Sequence, residues 1–290
     1  MAARLMKRTG PAAILMMALM LTMAGNAEDS AGVSDGAAAG HQNSVQVIAP
    51  GDSTIDTSIL KPYMARYQGF TIKDGKKTPA GPERISHLQE AKYPGGEGMR
   101  LIISLLGGTT VSDENQFLKT SLAPTVRIIS VSPLLHRVEV FQKGKIRGAN
   151  ISPQGKVVEV ELDINETRFH MAVKDLVLAS LPLKEGYQAR LPVFSSDLLP
   201  NQMEPAPSDS AKLNLILSIK VIGKERIRTG TGNTYDTWIV ESNLLTSEGE
   251  PLKLPNGVPF PGEKIWIAKE PPYAIKSGAG GMSIELIGLK

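Results

Sequence analysis

From Lys212 to Val221 the chain alternates without a break. Leu213, Leu215, Leu217, Ile219 and Val221 stand at every second position, between Lys212, Asn214, Ile216, Ser218 and Lys220. A β-strand turns successive side chains to opposite faces, so this period predicts one buried and one mostly polar face. The segment VVEVELDI repeats it, with Val158, Val160, Leu162 and Ile164 against Glu159, Glu161 and Asp163. RVEVFQKGKIRG runs as a strand into a glycine-bearing turn, and GMRLIISLLGG is apolar on both faces, which predicts a central strand. Turn signals punctuate these runs: Lys73-Asp74-Gly75, Lys143-Gly144, Gln154-Gly155, Glu248-Gly249 and Asn256-Gly257. Connections so short join antiparallel neighbours and leave no room for parallel crossovers. The fold expected is mainly antiparallel β, an incomplete (open) β-barrel or strongly curved sheet.

One short helix is expected within ETRFHMAVKDLVLASLPL. Phe169, Val173, Leu176, Val177 and Leu181 approximate one helical face. Asp175 is placed as the cap of a helix over Leu176 to Ser180, which Pro182 ends.

The N-terminus reads as an export signal. Arg4, Lys7 and Arg8 precede the apolar run Ala12 to Leu21, and Gly25-Asn26-Ala27 offers small residues for cleavage after Ala27. The apolar run is too short to span a bilayer. The chain has no cysteine, so neither a disulfide nor a lipoprotein-type anchor is open to it. The expectation is a secreted, periplasmic protein with no integral membrane segment after cleavage. Residues 1–27 are assigned to the signal peptide. Residues 28–57, small and polar at the start, are assigned to a flexible tether, and residues 58–290 to a single open β-barrel domain. The loop LPNQMEPAPSDSA from Leu199 is the best alternative boundary.

Charge excludes one class of partner. The formal charge of +3 comes from 32 basic and 29 acidic residues, and loss of the three basic residues of the signal leaves the remainder neutral. No basic surplus points to nucleic acid. Catalytic patterns are thin. His41, His87, His136 and His170 show no metal-ligand spacing, and there is no cysteine nucleophile or Gly-x-Ser-x-Gly elbow. RTGTGNT and KSGAGGMS precede strand patterns and lack the Gly-Lys-Ser/Thr ending of a phosphate loop, so they read as turns. Asp163 and Glu166 near Arg168, like Asp113 and Glu114, read as solvated strand ends. No catalytic residue, metal site or cofactor is assigned.

At LVLASLPLKEGYQARLPVF the helix, the Leu181-Pro182-Leu183 corner, Gly186-Tyr187 and a following strand resemble a family of exported proteobacterial proteins known as a domain of unknown function. FLKTSLAPTVRIIS, GTGNTYDTWIVE and KIWIAKEPPYAIK resemble further segments of that family, over roughly Tyr63 to Lys290. The family is similar in fold to the outer-membrane lipoprotein carrier proteins. The resemblance implies an incomplete antiparallel barrel around an apolar cavity, and it implies no agreed activity.

Both tryptophans sit on strand-like stretches. Trp238 shares a face with Asp236 and Val240, opposite Tyr235, and Trp266 lies between Ile265 and Ile267. They either fill a core or line the concave wall of an open barrel together, and the second reading assigns Trp238, Trp266 and Tyr235 to a ligand cavity with Tyr273 and Lys276 near its rim. The expected function is then a cell-envelope binding or carrier protein for a lipid or lipidated partner. The alternatives are an assembly scaffold that binds an envelope protein through a sheet edge, and a secreted enzyme of unrecognised class.

Overall fold

The computed structural model describes residues 45–93, 96–106, 110–132, 135–142, 144–164, 166–195, 214–254 and 257–290. The segment read as a signal peptide, with its expected Ala27 site, and most of the expected tether lie outside these residues, as do Leu213 and the loop from Leu199. Along the chain come β1 (Gln46–Val47), β2 (Tyr63–Lys73), β3 (Lys76–Tyr93), β4 (Gly96–Leu106), β5 (Thr110–Leu118), β6 (Pro124–Ser132), β7 (Leu135–Gln142), β8 (Lys145–Ile151) and β9 (Val157–Asp163). There follow β10 (Phe169–His170), α1 (Lys174–Ser180), β11 (Gln188–Phe194), β12 (Asn214–Arg228), β13 (Thr234–Thr246), β14 (Glu263–Ile267), β15 (Ala274–Ala279) and β16 (Met282–Leu289).

All sixteen strands belong to one sheet, ordered β1-β11-β12-β13-β14-β15-β16-β2-β3-β4-β5-β6-β7-β8-β9, with β10 also on β11. Two antiparallel meanders, β2–β9 and β11–β16, are joined where the last strand pairs with β2, Leu286 opposite Tyr67. Met64 and Lys290 exchange backbone hydrogen bonds at the end of that seam. Among the described residues, β1 and β10 alone are parallel to their neighbour. The expected open, curved antiparallel sheet is the architecture found.

Hairpin chemistry follows the turn residues. Asp74 and Gly75 both take positive φ, 51° and 73°, between β2 and β3, the left-handed pair that matches the twist of a two-residue hairpin. RTGTGNT and KSGAGGMS form the β12–β13 and β15–β16 turns.

The sheet curls so that its two ends meet through side chains. Phe141 of β7 lies 6.0 Å, centroid to centroid, from both His170 and Phe194. Ile146, Leu162, Ile164 and Phe194 form a small separate core there. Among the described residues no strand ladder joins β9 to β10 or β11, so the sheet is not closed into a barrel. The main core lies on the concave face. Leu215, Leu217, Ile219 and Val221 are buried as their alternation requires, with Val240, Ile265 and Ile267 beside them and α1 packed over β14 and β15.

Two expectations change. The helix starts at Lys174, so Asp175 lies inside its first turn and is no cap; a 3-10 turn, Met171–Val173, precedes it and Val173 makes no side-chain cap bond. His170 serves that turn instead, its Nδ1 accepting from the Ala172 N–H at 3.1 Å. The helix ends at Ser180 because Leu181, before Pro182, is extended. The folded body also begins earlier than residue 58. β1 pairs with β11, and Ile48 and Ile55 are buried in the core.

Candidate functional site

The β12–β13 hairpin overhangs its neighbours. β11 stops pairing at Lys220, and β14 stops at Trp238. Between them, at Val221/Gly223, the β12–β13 register slips by one residue. A bulge adds twist and bends the strand that carries it. Beyond it Lys224, Glu225 and Arg226 are exposed and pair only with β13.

Under this overhang lies a cleft of about 690 Å³, lined by Lys224, Arg226, Asp236, Trp238, Lys269 and Glu270, with Glu225, Thr234 and Thr237 at its sides. The volume falls in the range of small-molecule sites. Trp238 is half-buried, its inner edge packed on the main core. Its outer face carries Lys224, with Nζ 4.0 Å from the ring centroid. Among the described residues Arg226 makes one long, exposed ionic contact, with Asp236 at 3.7 Å. Lys269 is committed elsewhere: its Nζ donates to the carbonyls of Ala179, at 2.6 Å, and Leu181 at the C-terminus of α1. A cation there satisfies orphan carbonyls and the negative end of the helix dipole. Burial pushes the Lys269 ammonium down from its usual range, with Asp56 opposing. The cleft therefore has an aromatic floor, the exposed cations Lys224 and Arg226 beside the carboxylates Glu225, Asp236 and Glu270, and a wall fixed to the helix.

The five residues assigned to a cavity separate into three places. Trp238 lines the cleft. Trp266 does not share its face: Trp238 stands opposite Ile267, and Ile239 opposite Trp266, so the pair is offset by one residue and one residue of offset reverses the face. Trp266 reaches the cleft wall through a hydrogen bond, its Nε1 donating to Glu225 Oε2 at 2.6 Å. Lys276 covers the Trp266 ring at 4.6 Å and lies 3.9 Å from Glu285. Tyr235 and Tyr273 are core residues. Tyr273 is fully buried, edge-on to Tyr63 at 5.7 Å. Its hydroxyl donates to the Ile59 carbonyl at 2.8 Å and accepts from the Lys61 N–H at 2.7 Å. It holds a positive φ of 69°, a conformation costly for a bulky residue. Its work is to lock the segment before β2 onto the sheet, and it stands at no rim.

Two ionic groups on the concave face escaped the sequence reading. Arg127 grips Asp113 through Nε–Oδ1 at 2.9 Å and Nη2–Oδ2 at 2.8 Å. Glu139 lies between Arg127, at 3.9 Å, and Arg137, with which it forms an ion pair. Arg127, Arg137 and Glu139 are all at most 3 % exposed, so Asp113 is no solvated strand end. The second group ties α1 across the interior: Lys174 pairs with Glu263 of β14, and Asp175 faces Arg84 of β3 at 3.8 Å. Burial raises the Asp175 carboxyl above its usual range despite Lys174 and Arg84. Burial alone would lower the Lys174 ammonium, but Glu263 and Asp175 outweigh it and raise it.

Glu166 and Arg168 form an ion pair at 2.9 Å, and Arg168 also donates to the Leu215 carbonyl at 3.0 Å, which is a structural tie. Among the described residues no group of three or more His, Asp or Glu side chains is arranged to hold a metal ion, and no helix is long and apolar enough to cross a membrane. Compared with known proteins, the chain matches no family and no curated protein.

Proposed function

We propose that this is an exported binding protein of the cell envelope that holds an anionic amphipathic molecule, a lipid or a lipid-like chain, in the cleft over Trp238. The observation that carries the reading is the half-buried indole with Lys224 on its outer face and Arg226 beside it in the cleft; among the described residues Lys224 makes no ion pair, and Arg226 makes one exposed contact with Asp236. An apolar segment that displaces Lys224 from the ring gains the aromatic surface, at about 25 cal/mol per Å² removed from water. The freed ammonium then meets the anionic headgroup together with Arg226. Export is part of the proposal, with cleavage after Ala27 and residence in the periplasm.

The test is titration of the purified mature protein with a fluorescent fatty acid, and with its uncharged methyl ester as control. Saturable binding is expected, stronger for the acid, and weaker for both in Trp238→Ala. The salt dependence should fall on the acid alone, because exposed charges are screened. No binding by the wild-type protein overturns the proposal. Native mass spectrometry of protein purified from the periplasm, followed by lipid extraction, identifies the natural occupant.

A further inference from the structure

The two edges of the sheet are treated differently. The outer side of β11 is covered twice, by β1 at Ala189 and Arg190 and by β10 at Val193 and Phe194. Among the described residues no strand lies on the outer side of β9. Which of its backbone groups are free follows from the hydrogen bonds at its two ends. The Ile164 N–H donates to Gly144 and the Ser152 N–H donates to Lys156, and the β8–β9 register lies between these pairs. Bonded and non-bonded pairs alternate along an antiparallel ladder. Val158, Val160 and Leu162 therefore bond to β8, and Val157, Glu159, Glu161 and Asp163 turn their N–H and C=O groups outward.

β9 contains no proline and its register with β8 shows no slip, so two of the usual devices that blunt an edge strand are missing. Near Ile164 the edge runs into the side-chain seam with Phe194. From Val157 to Glu161 it stands clear: Val157, Glu159 and Glu161 are all exposed. The side chains beside the outward groups are acidic. Glu161 is shared by Lys145 at 2.5 Å and Arg147 at 3.0 Å, and Asp163 lies 3.6 Å from Lys145. Glu159 stands opposite Ala149, diagonal to Arg147, and among the described residues makes no ion pair of its own. The uncompensated charge thus lies in the middle of the clear stretch.

We propose that the free edge of β9, Val157 to Glu161, docks an extended segment of another protein that carries Lys or Arg at every second position and apolar residues between. Added as a strand, such a segment satisfies the outward backbone groups. Its cations meet Glu159 and Glu161, and its apolar side continues the half-buried face of Val158 and Val160. A second copy of this chain is disfavoured. Any antiparallel pairing of β9 with itself through its outward groups sets odd-numbered residues against odd-numbered residues. Those residues are Val157, Glu159, Glu161 and Asp163, so carboxylates come directly opposite or diagonal to one another. The segment 28–44 of the chain has no lysine or arginine and cannot supply the cations. The inference does not depend on the Trp238 cleft.

The probes are two labelled peptides, acetyl-VKVKVKV-amide and acetyl-VEVEVEV-amide, followed by fluorescence anisotropy with the mature protein. The cationic peptide is expected to bind at least tenfold more tightly and to weaken with salt. Glu159→Pro deletes one outward donor and no bond to β8, so it should abolish binding while the thermal melt stays within a few degrees. Glu159→Lys, a surface change that leaves the backbone intact, should reverse the preference between the peptides. Equal binding of both peptides, unaltered binding by Glu159→Lys, or a dimer cross-linked β9 to β9 in solution overturns the proposal.

Discussion

Trp238 and Trp266 are diagonal neighbours across the β13–β14 pair, and they look out from opposite faces of the sheet. One lies over the core with a lysine on its free side, and the other is held on the far face by Glu225 and covered by Lys276. The two indoles therefore answer different questions in an experiment.

Replacing each tryptophan by alanine separates them. Trp238→Ala should weaken an anionic amphiphile about tenfold or more, roughly 1.4 kcal/mol, with a modest loss of stability. Trp266→Ala should leave binding within about threefold, since it touches the cleft only through Glu225. In Trp266→Phe the remaining fluorescence should change on ligand addition. A ligand response carried by Trp266 alone would refute the site.

The concave ionic chain predicts an asymmetry on one strand. Glu139→Ala leaves Arg137 and Arg127 buried beside a missing carboxylate, and should cost about 3–5 kcal/mol in urea denaturation. Val140, the next residue and 38 % exposed, should cost less than about 1 kcal/mol as alanine. Equal losses would mean that the faces of β7 are misassigned.

Asp175 predicts a pH signature. Its carboxyl is raised by burial, so the folded state keeps the proton over a range in which the unfolded chain has released it. Linkage then makes its contribution greatest below the ordinary aspartate value of 3.8. That contribution falls as pH rises to the folded value and is constant above it. Asp175→Asn should therefore gain stability relative to wild type as pH rises through that window. Parallel stability curves would show that Asp175 does not titrate abnormally.

Maturation has a simple readout. N-terminal sequencing of the exported protein should begin at Glu28, and the protein should leave the membrane fraction in a carbonate wash. A start upstream of Ala24 would contradict the assignment of the signal.

The sequence by itself determined the main strands, the turns and the antiparallel character of the sheet. Leu215, Leu217 and Ile219 alternate with polar neighbours, and local stereochemistry turns that period into a half-buried strand. Asp74-Gly75 demands left-handed backbone, and a hairpin follows. These are local facts, readable from neighbours in the chain. Period two, however, marks two faces without saying which is inside. In RVEVFQ the structure buries Arg137 and Glu139 and exposes Val140, because Asp113, Arg127, Glu139 and Arg137 bring opposite charges together across three strands. Only register placed Trp238 and Trp266 on opposite faces, since a shift of one residue between β13 and β14 reverses every side chain. Only the long-range pairing of β16 with β2, and the meeting of Phe141 with Phe194, decided that the sheet curls into an open barrel. Burial, register and charge pairing belong to contacts between residues far apart in the chain, and these fixed the cleft and the free edge.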